Sequence, residues 1–434
     1  MGKVYLSFLG LGKKNSSKDN YEYEPAVYEL NGRMSRETQF VQVAELELLG
    51  IRTFERIIIV ATKKSYDTHF DNLRRQLGEG SPEQVLPIII SEDMSPEGQW
   101  KWFDRILTHI GPGDELTIDL THGYRSVPIV FSAAINFLYK ARDIRLKAVY
   151  YGAFDKKWEL GYAPVVDMKD FYSINEWAEA VSRLVEDADA RKLAAVSERT
   201  PEFQVAELND PHLVGAFTDL TDAIRNVDIN RIETKANAAM KLIENRRQSA
   251  SATGGLLLDL VVDKFASLSS AGPPSGLYDL SYFTLQLKII QMLLDHKLYM
   301  QAYTVMREFM GSIGMIGVKK ARVNSSDGRG RRKMFADVFV NMLQFEESKW
   351  HFDGRADEAK TKLMPFYERL KETGVAAALR AFANDLAAYR NGFDHAWTTK
   401  SGVFPDTATK GAYFLDELKK TVGILLETGI LEKS

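Results

Sequence analysis

The sequence predicts an α/β N-terminal domain with a doubly wound parallel sheet, followed by an all-α C-terminal domain. Three observations carry this. Short β-branched runs alternate with helix-length segments over the first 170 residues. Strand-like runs become scarce after about Trp177. Amphipathic segments of helical period fill the rest. Strands that alternate with helices close into parallel crossover units, and helices without strands pack on each other.

Taken in order, Val4 to Leu9 is an apolar run ending in Gly10-Leu11-Gly12. Thr38 to Leu49 has helical spacing. Arg56-Ile-Ile-Ile-Val-Ala61 is almost continuously β-branched, as a strand buried on both faces requires. Asp71 to Leu77 reads as a helix and Leu86 to Ile90 as a second buried strand. Trp100 to Ile110 is helical, Leu116 to Leu120 a strand, Pro128 to Ala141 a helix, and Leu146 to Tyr151 a strand. The expected result is a Rossmann-like sheet over 1–170. Pro/Gly and small-residue breaks at 246–255 and 269–276 then delimit a helical connector, 171–276, and a compact helical domain, 277–434. Helices of that domain are expected at 280–295, 298–316, 332–347, 357–373, 375–396 and 410–428.

Composition narrows the chemistry. The 434 residues contain no cysteine, which removes disulfides, thiolate metal sites and cysteine nucleophiles. The net charge of −3 gives no whole-protein attraction to nucleic acid, so any RNA contact must come from a local basic surface. The opening residues enter strand-like sequence after a single lysine, without the layout of a leader. No apolar run approaches the roughly 20 residues that span a bilayer. A cytoplasmic protein with no membrane contact is expected.

The segment Asp119-Leu-Thr-His-Gly-Tyr-Arg-Ser-Val-Pro128 lies between a strand and a helix. In an open parallel sheet, ligands bind beyond the carboxyl ends of the strands, and a helix N-terminus there offers free N–H groups to phosphate. Thr121, His122, Arg125 and Ser126 add donors, and Gly123 permits close approach. Two other strand ends point to the same edge, Gly10-Leu11-Gly12-Lys13-Lys14 and Thr62-Lys63-Lys64. This rim of glycines, hydroxyls and cations, with no metal cluster, suits several phosphates. Ordinary βα loops account equally well for the spacing, and Gly10-x-Gly12 is half a dinucleotide fingerprint.

The order of these motifs, a strand ending Ser-Phe-Leu-Gly and later Asp-Leu-Thr-His-Gly-Tyr-Arg, resembles the CARF domain of type III CRISPR accessory proteins. The resemblance implies a domain that dimerises and binds cyclic oligoadenylate across the two-fold axis. It makes Gly10, Thr62, Thr121, His122, Gly123 and Arg125 ligand candidates; Leu11, Gly12, Lys13, Lys63 and Ser126 join them from the same loops. Cyclic tetra-adenylate is expected ahead of hexa-adenylate, with no other cofactor. Thr121 and His122 are the residues to suspect if the pocket slowly degrades its own activator.

Near the C-terminus stands Tyr389-Arg-Asn-Gly-Phe-Asp-His395. Leu379, Phe382, Leu386, Tyr389 and Phe393 recur at intervals of three and four, a core stripe. At about 100° per residue, Asn384, Asn391 and His395 fall on the opposite face and Arg390 at the stripe's edge. Gly392 in the helix interior costs about 1 kcal/mol against alanine, a sign of a helix end or a close approach. A capped helix end with a surface histidine explains the same pattern.

Arg390-Asn391-x3-His395 in a helical domain resembles the HEPN ribonuclease motif, and following a CARF-like domain it resembles the CARF–HEPN ribonucleases. The resemblance implies metal-independent cleavage of single-stranded RNA: the 2′-hydroxyl attacks the adjacent phosphate, leaving a 2′,3′-cyclic phosphate and a 5′-hydroxyl. His395 would move the proton, Arg390 stabilise the charge on the phosphate, and Asn391 orient one of them. It also implies a homodimer or higher symmetric oligomer, in which two motifs face each other.

Residues 319–333 carry seven basic side chains and one acid, between two expected helices. Lys319, Lys320, Arg322, Arg331 and Arg332 are the candidate RNA track, through phosphate contacts, with a solvated loop as the alternative. Arg307 and Glu308 are candidates for supporting the site. The rival reading is a cyclic-oligoadenylate-binding regulator without nuclease activity. A metal-dependent deoxyribonuclease would need an acid cluster such as Asp/Glu-x-Lys near a strand, and strand-like sequence is scarce after residue 177.

Overall fold

The computed structural model describes residues 2–15, 20–78, 84–93, 95–122, 134–135, 137–138, 140–199, 205–269, 276–318, 321–323, 326–395 and 406–431. The chain divides into two compact units, Met1–Glu176 and Trp177–Ser434.

The first unit carries β1 (Lys3–Leu9), a hairpin of β2 (Lys13–Asn15) and β3 (Asn20–Glu22), β4 (Tyr28–Leu30), β5 (Arg33–Met34) and β6 (Arg56–Thr62). Then come β7 (Val85–Ile90), β8 (Glu115–Asp119), β9 (Arg145–Gly152) and β10 (Ala163–Asp167). Helices α1 (Val41–Leu49), α2 (Lys63–Leu77) and α3 (Pro96–Leu107) lie between them. The sheet order is β5-β4-β10-β9-β8-β1-β6-β7. Its centre, β9-β8-β1-β6-β7, is wholly parallel. The chain lays β6 and β7 to one side of β1, then crosses to build β8 and β9 on the other. That places the topological switch point, where doubly wound sheets open a crevice, between β1 and β8.

Side chains alternate across this sheet with period two. Val4, Leu6, Phe8, Ile58 and Val60 meet Trp102, Phe103, Ile135 and Leu138 on one face. Tyr5, Leu9, Ile57 and Ile59 meet Val43, Leu46, Phe70 and Leu73 on the other. Both faces are covered by helices, which is why Ile57-Ile58-Ile59 is apolar without interruption.

The second unit is helical throughout its described residues. Helix α4 (Lys169–Asp187) spans the boundary between the units, and α5 (Arg191–Arg199), α6 (Pro211–Arg225), α7 (Ile229–Arg247) and α8 (Ala252–Phe265) follow. The remainder is α9 (Leu280–Asp295), α10 (Tyr299–Ile316), α11 (Ser326–Gln344), α12 (Arg355–Glu372), α13 (Val375–Asp394) and α14 (Thr407–Glu427). One continuous apolar core runs from Trp177 through Phe217, Ile243 and Phe283 to Leu425. The expected separate connector is therefore corrected: most of 171–276 packs into the same core as the C-terminal helices. Helices α10 and α11 approach closely because Gly311 and Gly314 present no side chain. A Cβ at Gly314 would stand 2.5 Å from the Phe339 ring.

Two other expectations shift. Helix α2 begins at Lys63 rather than Asp71, because Thr62 and Ser65 form a reciprocal capping box. The basic run read as a loop is partly helix, since α11 starts at Ser326.

Candidate functional site

The loop after β1 and the loop after β8 meet at the switch point around a cleft of about 380 Å³. Gly10, Leu11, Gly12 and Lys13 line it from the first loop, Thr121 and His122 from the second. These six of the expected ligand residues come together. Gly12 has φ +75°, and a Cβ there would lie 2.5 Å from the Glu22 carbonyl oxygen, so only glycine lets β3 pass. Thr62 and Lys63 are not among the lining residues. The Thr62 hydroxyl is buried and accepts from the Ser65 N–H at 3.2 Å, while exposed Lys63 pairs with Asp67 at 2.6 Å. Gly123, Arg125 and Ser126 lie outside the described residues.

The cleft floor is held by a buried carboxylate. Asp119, with no exposure, accepts from Ser7 Oγ at 2.6 Å and from the Thr121 N–H at 2.8 Å, and the Thr121 hydroxyl donates to it as well. Thr121 Oγ1 in turn accepts from the Gly152 N–H at 2.7 Å. Gln42 of α1 donates to Ser7 Oγ at 3.0 Å and to the Phe8 carbonyl at 2.9 Å. Thr121 is thus committed on both sides to holding the loop. Burial raises the Asp119 pKa, against the three hydrogen bonds that favour its charge.

His122 differs. Its Nε2 is buried and meets no partner, its ring packs on Tyr23 at 4.7 Å, and burial, with His69 nearby, pushes its pKa down to about 4. At neutral pH it is an uncharged imidazole facing the cleft. His69 binds the Leu11 carbonyl at 2.9 Å and so fixes the first loop.

Sequence reasoning missed the rest of the wall: Tyr23, Tyr28, Gln39, Tyr151, Gly152, Phe154 and three acids, Glu22, Glu24 and Asp155. Only Gly152, closing a strand at the same edge, carried a readable signal.

In the second unit, α13 buries Leu379, Phe382, Leu386 and Tyr389 as its spacing required. Tyr389 stacks on Tyr303 of α10 at 5.3 Å and 3°, and Phe393 meets the same ring at 5.6 Å. This fixes the helix end that presents Arg390, Asn391 and His395. Asn391 and His395 are exposed one turn apart, and His395 closes the helix with its N–H on the Asn391 carbonyl at 3.0 Å. Arg390 is half-buried and pairs with Asp394 at 3.0 Å, while its Nε has no hydrogen-bond partner.

One member of the expected RNA track is committed elsewhere. Arg332 turns inward from α11 to Glu308 Oε2 at 2.8 Å, the Glu308 carbonyl at 2.9 Å and Ser312 Oγ at 2.9 Å. It is a helix-to-helix clamp, so its assignment to RNA is corrected. Arg322 is exposed and Arg331 half-buried; Lys319 and Lys320 lie outside the described residues. Arg307 and Glu308 serve the same clamp, Arg307 reaching Asp337 at 2.9 Å and Glu308 at 3.2 Å. Among the described residues, no group of side chains is arranged to hold a metal ion and no helix is long and apolar enough to cross a membrane.

Fold and site together define a chain with an α/β unit, cleft at its switch point, and an all-helical unit bearing an exposed Arg-Asn-x3-His helix end. By sequence it is a relative of the CRISPR-associated protein MJ1674 of Methanocaldococcus jannaschii, at 25% identity over 48% of this chain and 43% of that protein. The chain therefore covers less than half of that relative's length. No family model matches. Among solved structures it is similar to Enterococcus italicus Csm6 bound to cyclic hexa-2′-fluoro-hexa-dAMP, at 9% identity and a TM-score of 0.47, covering 98% of this chain and 95% of that one.

Proposed function

We propose that the chain is a single-stranded RNA endoribonuclease of CRISPR antiviral defence, switched on by cyclic oligoadenylate and active as a homodimer. The observation that carries this is the pairing on one chain of two features. One is a Thr121–His122 loop held at a sheet switch point by Asp119. The other is Arg390, Asn391 and His395 at the end of a helix locked by Tyr303. The relationship to a CRISPR-associated protein supports the setting.

In the cleavage step the 2′-oxygen forms a bond to phosphorus as the 5′-oxygen leaves. The 2′-hydroxyl gives up its proton, the departing oxygen gains one, and His395 serves this exchange. Arg390 stabilises the charge gathering on the phosphate and Asn391 orients the partners. A single exposed pair is a sparse site; a second copy would complete it. Ligand at the sensor acts only insofar as it prefers the dimer arrangement in which the motifs meet.

The test is cleavage of a fluorogenic single-stranded RNA without metal, with and without cyclic tetra- and hexa-adenylate. Activity that needs a ring, larger with the tetra-adenylate, and that His395→Ala abolishes is the expected result. The second reading, a regulator that binds the ring without cutting, is favoured by one observation: Asp394 already holds the Arg390 guanidinium. Ring binding without cleavage would establish it instead.

A further inference from the structure

One side chain of α10 reaches both α13, which presents the Arg-Asn-x3-His end, and α14, which follows it. Tyr303 is fully buried, and its ring lies parallel to that of Tyr389 on α13, with centroids 5.3 Å apart and planes inclined by 3°. Phe393, two residues before His395, meets the same ring at 5.6 Å. Phe414 of α14 meets it edge-on, at 5.8 Å and 86°.

The hydroxyl adds what ring contact cannot. Tyr303 Oη donates to the carbonyl of Thr407, the first residue of α14, at 2.8 Å. Gly411, one turn on, allows the approach: a Cβ there would stand 2.6 Å from Leu294 Cδ2 of α9 and 3.7 Å from the Tyr303 hydroxyl. The attraction between parallel rings is spread over their faces and restrains sliding weakly, whereas a hydrogen bond is directional and weakens steeply when bent. Ring contact therefore holds α13 against α10, and the hydroxyl sets where in its own plane the ring sits. Burial, with Tyr389 beside it, raises the Tyr303 pKa above the usual tyrosine range, so the hydroxyl stays a donor at neutral pH. Helix α10 is a firm base for this pin, because Arg332 and the close packing at Gly311 and Gly314 tie it to α11.

We propose that Tyr303 is a positioning residue for RNA cleavage: its hydroxyl, by pinning the ring to the start of α14, sets the orientation of the last turn of α13 and with it His395. This rests on the ribonuclease reading above and adds to it a residue outside the Arg-Asn-x3-His motif.

The experiment compares Tyr303→Phe, Tyr303→Leu and Thr421→Val in the full chain. Tyr303→Phe keeps the ring and loses only the hydrogen bond. Thr421→Val removes another buried hydroxyl of α14, one that donates to the Glu417 carbonyl and lies about 20 Å along the helix from Thr407. Tyr303→Phe and Thr421→Val are each expected to lower the melting temperature by about 2–4 °C. Activator-dependent cleavage, measured well below that temperature, separates them. Tyr303→Phe is expected to lower kcat about tenfold with KM unchanged, since small displacements of a reacting group are costly, and Thr421→Val to leave both unchanged. Tyr303→Leu, which loses the stacking as well, should lower kcat further. The imidazole NMR signals of His395, assigned by their absence in His395→Gln, give a second readout that needs no cleavage. They are expected to shift or broaden in Tyr303→Phe and to stay in place in Thr421→Val. An unchanged kcat in Tyr303→Phe, or a His395 signal that does not move, would overturn the inference. If no cyclic oligoadenylate activates the unaltered chain, the ribonuclease reading fails, and the His395 signals alone decide whether Tyr303 sets that side chain.

Discussion

Ser7 Oγ donates to Asp119 Oδ2 at 2.6 Å, tying β1 to β8 beneath the cleft. The same carboxylate receives the Thr121 amide, so one buried group sets the spacing of the two strands and the course of the loop above them. Removing it leaves Ser7 and Thr121 without their acceptor inside the protein. Asp119→Ala is expected to destabilise the first unit by about 2–3 kcal/mol, at roughly 1–3 kcal/mol for each buried group left unsatisfied. Ring binding should weaken in parallel. Denaturation of the first unit and calorimetric titration check the two effects, and full affinity in a destabilised chain would remove Asp119 from the support of the site.

Stability of the first unit should respond to pH through two groups of opposite sign. His122 is held neutral, with a pKa of about 4 against 6.5 when free. Between these values the unfolded chain takes up a proton that the folded one refuses. Its contribution is complete above pH 6.5 and lost as the pH falls toward 4, on the order of 3 kcal/mol. Glu45 is fully buried on α1, and burial, with Asp119 nearby, raises its pKa well above 4.5 despite a 2.7 Å hydrogen bond from Tyr5. The folded carboxyl keeps its proton where the unfolded one releases it, so that contribution is lost as the pH rises. Glu45→Gln is therefore expected to raise the melting temperature, with a gain that grows with pH. His122→Gln should flatten the acid side alone. Melting curves from pH 4 to 9 distinguish the two.

Arg332 and Arg322 lie ten residues apart in the same basic run and should behave oppositely. Arg332→Ala breaks three hydrogen bonds between α10 and α11, and is expected to cost about 1–3 kcal/mol while leaving RNA affinity nearly unchanged. Arg322 is exposed; its alanine variant should change stability by less than about 0.5 kcal/mol. If it contacts a phosphate, the slope of log affinity against log salt should fall by about one. An Arg332→Ala chain that is stable but fails to bind RNA would restore the residue to the track.

The parallel core was legible because each of its strands is a dense β-branched or apolar run flanked by polar turns. Helix Leu280–Asp295 matched its expected limits because Asp279 caps it after a Pro/Gly break. Strands β2 to β5 and β10 escaped because they have two to five residues and carry lysines, prolines and acids in place of an alternating pattern. The inward turn of Arg332 depends on Glu308 and Ser312 of another helix, and no local spacing reports that. For the same reason the sequence showed the cations near the cleft and missed its acids, which arrive from the β3 hairpin and the turn after β9.

The Arg390–Asp394 pair decides how the helical unit would be read by its substrate. An ion pair spaced i, i+4 and about one-third exposed is worth roughly 0.3–0.5 kcal/mol, too little to be kept for stability. It does, however, place a carboxylate on the guanidinium that the proposed reaction assigns to the scissile phosphate. Asp394→Asn removes that competitor and should strengthen RNA binding and raise cleavage without activator, most at low salt, with an unchanged melting temperature. Arg390→Ala and His395→Ala should each lower cleavage by about 100-fold or more, again without loss of stability, since both side chains lie at the surface end of α13. If Asp394→Asn instead loses as much activity as Arg390→Ala, the carboxylate orients the guanidinium for catalysis. The direction of that single change therefore separates a charge that must be displaced from one that must be kept.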